Sequence, residues 1–246
     1  LIYKMKKILC LFCALTFVIT SCSNDDDSSS GSSDSVLLKK TISTDSDGEK
    51  LTTIYKYNGN KIVSIVDGDL NLYYTYTDDL ITKIEYKYPD GTLVQLETFE
   101  YNAQNKVITH AMSEPLEELG RKDFFTYNSD GTISVKNYIG DHQTQTEENG
   151  QAKFILLNGE VAKYDSDYAG NFTFKYDDKN NPMKNVLGYD KIAFLRTGEG
   201  ESHNVVSEEG DGTKYTYTYE YNSNGYPVKS IEKADGDIEE TIELFY

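Results

Sequence analysis

The feature that most constrains this chain is an alternation of side-chain type with a period of two residues. In "KYTYTYEY" the tyrosines Tyr215, Tyr217, Tyr219 and Tyr221 alternate with lysine, threonine and glutamate. The segments "LNLYYTYT" at 70–77 and "IEYKY" at 84–88 repeat the pattern. Successive side chains of a β-strand point to opposite faces of its sheet, so this period predicts strands with one aromatic and aliphatic face and one polar face.

Turn signals separate these strands at short intervals. Glycine beside asparagine or aspartate, a common hairpin signal, occurs at 58–60, 67–69, 89–91, 129–131, 158–160, 211–212, 223–225 and 235–237. Such short connections join antiparallel neighbours, because parallel strands need a crossover of about a dozen residues. A weak helical signal at 113–120 is interpreted as a loop. The sequence therefore predicts one all-β domain over 36–246, an up-and-down antiparallel meander of about 12–16 strands with almost no helix.

A hairpin unit recurs along this meander. An aromatic strand ends in tyrosine, and a polar turn and a second strand follow; the tyrosines are Tyr57, Tyr76, Tyr101, Tyr127, Tyr176 and Tyr221. The first three intervals are 19, 25 and 26 residues, and the last two, 49 and 45, are about twice as long. We expect one weaker copy within each long interval. A single hairpin is marginal in water, so the copies must join into one sheet.

The residue pattern of this unit resembles that of the YD-type repeats of bacterial surface proteins. More specifically, "KYDDKNNPMKNVLG" at 175–188, "NVVSE" at 204–208 and "YTYTYEYNSNGYPVKS" at 215–230 are similar to an uncharacterised lipoprotein family of Bacteroidetes. That family's domain of unknown function has a porin-like fold. The resemblance covers roughly residues 36–246. It implies a strongly curved or barrel-like sheet, and it implies no activity.

A barrel embedded in a membrane is not expected. Strands that face lipid need an outward apolar band about 25 Å tall. Here the face opposite the tyrosines carries Lys83, Glu85, Lys87, Lys214, Glu220, Glu239 and Glu243. We expect a water-soluble, barrel-like sheet.

The N-terminal residues resemble the signal of a bacterial lipoprotein. Met5 is the expected start, and Lys6 and Lys7 precede the apolar run "ILCLFCALTFVI" at 8–19. That run is too short to span a hydrocarbon core of roughly 30 Å as a helix. Small residues then lead to Cys22, as in a lipobox. In that family the signal, here 1–21, is removed and the cysteine carries lipid; the alternative is an ordinary signal peptide with an incidental cysteine.

A low-complexity linker follows the predicted lipidation site. Residues 23–35, "SNDDDSSSGSSDS", cannot bury apolar area, so we expect 22–35 to be a disordered tether that spans roughly 20 Å. The acidic residues directly after Cys22 resemble the surface-export signal of Bacteroidetes lipoproteins. This implies an outer-membrane lipoprotein exposed at the cell surface. The alternative is a plain spacer and a periplasm-facing domain.

Charge and cysteine content argue against several function classes. The net charge of -17 disfavours nucleic acid as a partner. Loss of 1–21 removes three lysines and no acidic residue, which changes the net charge to -20, and it also removes Cys10 and Cys13. With Cys22 acylated, no thiol remains for a disulfide, a thiolate metal site or a cysteine nucleophile.

No catalytic or metal-binding constellation is recognisable in the sequence. His110, His142 and His203 are far apart and are expected on the surface or in loops. Adjacent carboxylates such as Asp177 and Asp178 point to opposite faces of a strand, which makes them poor acid–base pairs. The stretch "DSDGE" at 45–49 lacks the bidentate glutamate of a calcium loop. We expect no enzymatic activity, no cofactor and no metal, apart from weak Ca²⁺ binding by the acidic turns.

The tyrosine row supports one further hypothesis. If its face is open, Tyr215, Tyr217, Tyr219 and Tyr221 form an aromatic platform for sugars or an extended polymer; otherwise they fill the barrel.

The predicted function is binding or scaffolding at the cell surface by a lipid-anchored domain that contacts the membrane only through its anchor. A glycan or another surface protein is the expected partner. The alternative is a glycan-acting enzyme or glycan-binding protein of a polysaccharide-uptake system.

Overall fold

Sixteen antiparallel strands form a closed barrel in the computed structural model, which describes residues 36–196 and 200–246. The strands are β1 (Lys40–Asp45), β2 (Lys50–Asn58), β3 (Lys61–Val66), β4 (Asn71–Thr77), β5 (Leu80–Lys87), β6 (Leu93–Tyr101), β7 (Val107–Glu114), β8 (Leu119–Tyr127), β9 (Ile133–Gly140), β10 (Gln145–Leu157), β11 (Glu160–Ser166), β12 (Gly170–Tyr176), β13 (Val205–Gly210), β14 (Thr213–Tyr221), β15 (Pro227–Ala234) and β16 (Asp237–Phe245). Each strand pairs with its sequence neighbours, and β16 closes onto β1. The predicted meander is confirmed. The predicted leader, Cys22 and the linker lie outside the described residues.

The barrel has two ends that differ in composition and packing. We call one end proximal. It contains the start of β1, the end of β16 and the connections that follow even-numbered strands. The distal end carries the connections after odd-numbered strands, among them the turn at 115–118 that replaces the weak helical signal.

The recurrent tyrosine marks the site of a β-bulge in most units. Tyr76, Tyr101 and Tyr221 each pair with the residue at or near the start of the returning strand, and the register shifts beside each pair. A bulge leaves backbone groups outside the regular ladder. Hydroxyls of later tyrosines donate to carbonyls near these positions: Tyr101 to Ile81 (2.6 Å), Tyr176 to Val161 (2.9 Å) and Tyr246 to Pro227 (3.0 Å). The tyrosines thus join consecutive hairpins.

Only one of the two long repeat intervals contains a weaker copy. Between Tyr127 and Tyr176, strands β10 and β11 form a hairpin in which Leu156 pairs with Val161. The interval from Tyr176 to Tyr221 contains no further copy among the described residues, so that expectation was wrong. Instead, residues 177–196 and 200–204 leave the barrel wall, and they include two single-turn 3₁₀ helices, Tyr189–Lys191 and Ala193–Leu195. We call residues 177–196 and 200–204 the plug. No helix in the described ranges is long and apolar enough to cross a bilayer.

The plug and the inner face of the barrel share one hydrophobic core. Ile192 of the plug is fully buried, and the ring of Phe194 packs edge-on against Phe125 and Phe154 with centroid distances of 5.5 and 5.3 Å. Buried aliphatic residues of the wall, including Ile62 and Ile81, belong to the same core. Sixteen-stranded porins leave an aqueous channel. Here side chains and the plug fill the lumen on its proximal side.

The face opposite the tyrosines forms the outside of the barrel, as the alternation predicts. On β5, Ile84 and Tyr86 are buried, while Lys83 and Lys87 on the outer face lie 2.9 and 3.0 Å from Glu85. The other charged residues predicted on this face, namely Lys214, Glu220, Glu239 and Glu243, are exposed. The outer wall therefore carries charge along its length.

Candidate functional site: the plugged lumen

A buried polar network lies inside the barrel, on strands β6, β7 and β8. Glu97, His110 and Asp123 are only 3%, 5% and 6% exposed. In the sheet register His110 is directly opposite Asp123 on one side and Phe99 on the other, and its ring stacks on Phe99 at 5.0 Å. Buried charges of this kind persist only when they are paired and hydrogen-bonded.

The carboxylate of Glu97 is the centre of this network. It accepts hydrogen bonds from the hydroxyl of Tyr86 (2.8 Å) and from Gln95 Nε2 (2.8 Å), and it lies 3.1 Å from His110 Nε2. The guanidinium of Arg196, which belongs to the plug, donates to both carboxylate oxygens at 2.9 and 3.1 Å. Burial alone would raise the pKa of Glu97, but Arg196 and His110 outweigh it and hold that pKa well below its usual range.

His110 lies between two carboxylates. Its Nδ1 is 3.7 Å from Asp123, whose other oxygen accepts a hydrogen bond from Asn137 at 2.6 Å. Burial acts to lower the pKa of His110, yet Asp123 and Glu97 raise it above its ordinary value. The expectation of a surface or loop histidine was therefore wrong for His110. His142 and His203 do lie in connections between strands.

These contacts suit the network for holding the plug. General acid–base catalysis needs a group that can reach a substrate proton. Glu97 is buried and accepts from four side chains, one of which, Arg196, comes from the plug. A bidentate pair between arginine and carboxylate fixes geometry as well as charge. The network therefore fixes the plug against the wall formed by β6 to β8.

A second carboxylate fixes the C-terminal part of the plug. Glu160, at the start of β11, accepts backbone N–H bonds from Glu201 (2.8 Å), Ser202 (2.8 Å) and His203 (2.9 Å). Its charge also affects its neighbour: burial and then the Glu160 carboxylate raise the pKa of Glu201 to about 7. Glu201 therefore changes its charge near neutral pH.

The predicted tyrosine row faces the lumen. The hydroxyl of Tyr219 donates to the carbonyl of Val205 at 2.7 Å, and that of Tyr221 donates to the carboxylate of Asp177. Tyr217 packs against the core, and burial followed by the charges of Glu232 and Glu208 raises its pKa. Tyr215 lies on the same face nearer the distal end. A ligand would reach these rings only through the lumen.

Carboxylates accompany the tyrosines on this side of the lumen. Glu208 on β13 is opposite Tyr215, and Glu232 on β15 is opposite both Tyr217 and Glu240. Burial and then the charge of Glu232 raise the pKa of Glu208. Within the described part of the chain, no three His, Cys, Asp or Glu side chains are grouped so that they could hold a metal ion.

The sequence contained a signal for part of the buried network. On β6, Phe99 and Tyr101 indicate which side chains face the lumen, and the period of two then places Glu97 among them. Phe125 does the same for Asp123 on β8. His110 could not be placed in this way, because a register shift separates the start of β7 from its later residues.

Comparison with known proteins supports the fold. No family model and no curated protein matches the sequence. A porin-like protein from Bacteroides uniformis superposes with a TM-score of 0.51 at 12% identity, over 85% of this chain and 97% of that one. A porin-like protein from Bacteroides vulgatus gives 0.55 at 12% identity, over 86% and 99%. The porin-like barrel that the family resemblance implied is thereby confirmed.

Proposed function

We propose that this chain is an outer-membrane lipoprotein, anchored through Cys22 and exposed at the cell surface, whose barrel has a non-enzymatic binding or scaffolding role. The observation that supports this most is the plug. A barrel of sixteen strands is wide enough for an aqueous channel, yet the plug fills its proximal side and is tied to the wall through Glu97 and Glu160. A filled lumen favours a closed support over an open pore.

The position of the first described residues fits a tether at the plugged end. The carbonyl of Val36 accepts a hydrogen bond from Asn185 of the plug at 2.9 Å, and β1 begins at the same end. A linker over 22–35 would therefore leave the barrel beside the plug. In this orientation the proximal end faces the membrane and the distal turns face away from it.

The outer wall supports contact with the membrane through the anchor alone. A lysine or arginine on the lipid face of a barrel costs about 2–4 kcal/mol at the bilayer midplane. Lys83 and Lys87, with Glu85 between them, lie on the outside of β5, and exposed Lys214 and Glu220 lie on β14. Several such costs together favour a barrel surrounded by water.

A glycan-acting or glycan-binding protein of a polysaccharide-uptake system is the second candidate. The distal lumen supports it, because Tyr215 and Tyr217 lie beside Glu208 and Glu232. An enzyme is the weaker form of this candidate, since Glu97 and Asp123, the most buried carboxylates of β6 and β8, are already paired with basic groups.

Substitution of the lipidation site tests the proposed anchor. In Cys22→Ser we expect the protein to leave the membrane fraction and remain folded in buffer without detergent. Cys13→Ser, within the predicted leader, is the matched control and should stay membrane-bound. Membrane fractionation with immunoblotting reads out both. If Cys22→Ser fractionates with membranes as the unmodified protein does, the anchor proposal is wrong.

A further inference from the structure

One region of the outer wall combines several lysines with a pair of exposed rings. It consists of Lys122 and Phe124 on β8, Lys136 and Tyr138 on β9, and Lys153 on β10, and we call it the lysine–aromatic face. The register places Lys122 directly opposite Tyr138 and Phe124 directly opposite Lys136. Ammonium groups and rings therefore alternate both along and across the strands. Directly opposite side chains are about 5 Å apart at Cβ.

The two rings form an exposed aromatic pair. Phe124 and Tyr138 meet edge to face with centroids 5.6 Å apart, and Phe124 is 42% exposed. The ammonium of Lys122 lies 5.2 Å from the centroid of the Phe124 ring. Most other aromatic residues of the barrel face the lumen, so a ring pair on the outside is not needed for the core.

Lys122 and Lys136 lack the carboxylate partners found elsewhere on the wall, whereas Lys153 lies directly opposite Asp165 of β11. On β5, Lys83 and Lys87 both pair with Glu85, and on β15 Lys229 pairs with Glu220. None of the ion pairs within the described ranges involves Lys122, Lys136 or Lys153. The chain has 41 acidic and 24 basic residues. Lys122 and Lys136, which form no ion pair, therefore give this face local positive charge on an otherwise acidic protein.

The shape of the face favours an extended ligand over a small one. Sites for small molecules are concave and bury most of the ligand, whereas this face is the convex outside of a sheet. A polymer laid across several strands can gain contacts from many weak subsites. Glu148, opposite Tyr138 on β10, borders the face towards the distal end. Anionic groups should therefore lie over Lys122 and Lys136 and away from Glu148 and Asp165.

We propose that the lysine–aromatic face binds an acidic polysaccharide, with sugar carboxylates on Lys122 and Lys136 and an apolar sugar face on Phe124. This deepens the proposed binding role, on which it rests, by naming a ligand class and placing it outside the lumen. An anionic lipid surface would offer charge but no extended rigid chain, and a second copy of this acidic protein would have to overcome repulsion between like charges.

Affinity measurements with a defined polymer test the proposal. Full-length protein in neutral detergent is titrated with polygalacturonate, with dextran as the uncharged polymer and with mixed micelles of detergent and phosphatidylglycerol as the lipid surface. We expect binding to polygalacturonate alone, weakened by added salt. Lys122→Gln with Lys136→Gln should lower the affinity on the order of tenfold, and Phe124→Ser should also lower it.

A control variant on another part of the wall makes the result specific. Lys83→Gln with Lys87→Gln removes the same charge from β5 and should leave polymer binding unchanged, and circular dichroism checks that each variant folds. Equal binding to dextran, binding to the phosphatidylglycerol micelles alone, or equal losses in the two double variants would overturn the proposal. Cys22→Ser fractionation is independent of this assay, so failure of the anchor and failure of the polymer site can be told apart.

Discussion

The two ends of the barrel are built from different turn residues. The eight distal turns carry eleven carboxylates and no lysine or arginine: Asp47, Glu49, Asp67, Asp69, Asp90, Glu117, Glu118, Asp141, Asp167, Asp211 and Asp235. The proximal turns are rich in asparagine, and the described part of the plug has as many basic as acidic residues. Like charges repel, so the distal turns stay apart in water. The proximal turns carry fewer charges, namely Asp78, Asp79, Lys106 and Asp130, and can pack together more closely.

Contacts at the proximal end show how its uncharged turn residues pack against the plug and the wall. Asn180 of the plug donates through Nδ2 to the carbonyl of Asn224 at 2.9 Å, and Asn185 donates to the hydroxyl of Tyr226 at 2.7 Å. Tyr76 on β4 donates to the carbonyl of Leu187 at 3.1 Å. Polar groups without charge can be brought together at modest desolvation cost. Uncharged side chains of the proximal turns therefore contribute to the closure of that end of the barrel.

The largest effect is expected where the plug is tied to the wall. Glu97→Ala leaves Arg196 and His110 as buried charges without their carboxylate, which should cost about 3–5 kcal/mol of unfolding free energy. Urea unfolding followed by circular dichroism measures it. Glu85→Ala on the outer wall, which removes two exposed pairs, should cost no more than about 1 kcal/mol. Equal losses in the two variants would show that the network does not hold the plug.

Two glycines of similar backbone conformation, one at each end of the barrel, allow the packing of the two ends to be compared. Gly188 of the plug and Gly212 of a distal turn have φ values of 75° and 79°. A Cβ at Gly188 would lie 2.5 Å from the carbonyl oxygen of Asp79, whereas one at Gly212 meets nothing within 4 Å. Gly212→Ala should cost about 1–2 kcal/mol for its left-handed conformation. Gly188→Ala should cost roughly 1–3 kcal/mol more, and equal thermal unfolding of the two variants would argue against a closely packed plug.

Alkaline pH should weaken the buried polar network that contains Glu97, His110 and Asp123. The folded pKa of His110 lies above the unfolded value of about 6.5. Its stabilising contribution is thus complete below about pH 6.5 and is lost as the pH rises through the folded pKa. Glu97 and Asp123, with lowered pKa values, act oppositely and lose their contribution as the pH falls through those values.

The measurement is the urea midpoint as a function of pH. Burial and then the charge of Glu160 raise the pKa of Glu201 to about 7. Ionisation of Glu201, which destabilises the folded state, is therefore nearly complete at slightly alkaline pH. Tyrosines titrate from about pH 10. As the pH rises from about 6.5 through the folded pKa of His110, the unmodified protein should lose more stability than His110→Gln, because Glu201 and the tyrosines are common to both proteins. Parallel profiles for the two proteins would rule out the histidine as the cause.

The smallest expected effect concerns repulsion at the distal end. Glu117→Gln with Glu118→Gln should raise stability by up to about 0.5 kcal/mol at low salt, and the gain should vanish at high salt, where charges are screened. At the proximal end, Asp79→Asn removes a partner of Lys61 at 3.2 Å and should change stability in the opposite direction. Chemical unfolding at two salt concentrations reads out both. A gain in both variants would mean that the ends do not differ in this way.

The sequence predicted the wall of the barrel far better than its contents. Alternation along β14 and glycine turns such as the one at 223–225 are local signals, and they fixed strands, hairpins and the charged outer face. Pro227 opens β15, where a missing N–H is tolerated. The plug gave no such signal, because its apolar residues, among them Ile192 and Phe194, follow neither a strand nor a helix period. Arg196 and Glu97 are 99 residues apart, and their pairing depends on barrel closure.

Hydrogen exchange in the native state compares the two ends most directly. In a closed and packed proximal end, backbone amides of plug peptides within 180–195 should exchange about as slowly as those of the barrel strands, while the distal turns at 67–70 and 115–118 exchange within the first time points. Mass spectrometry of deuterated peptic peptides measures both in one experiment. If the plug peptides exchange as fast as the distal turns, the proximal end is not closed, and the account of this protein as a plugged barrel is contradicted.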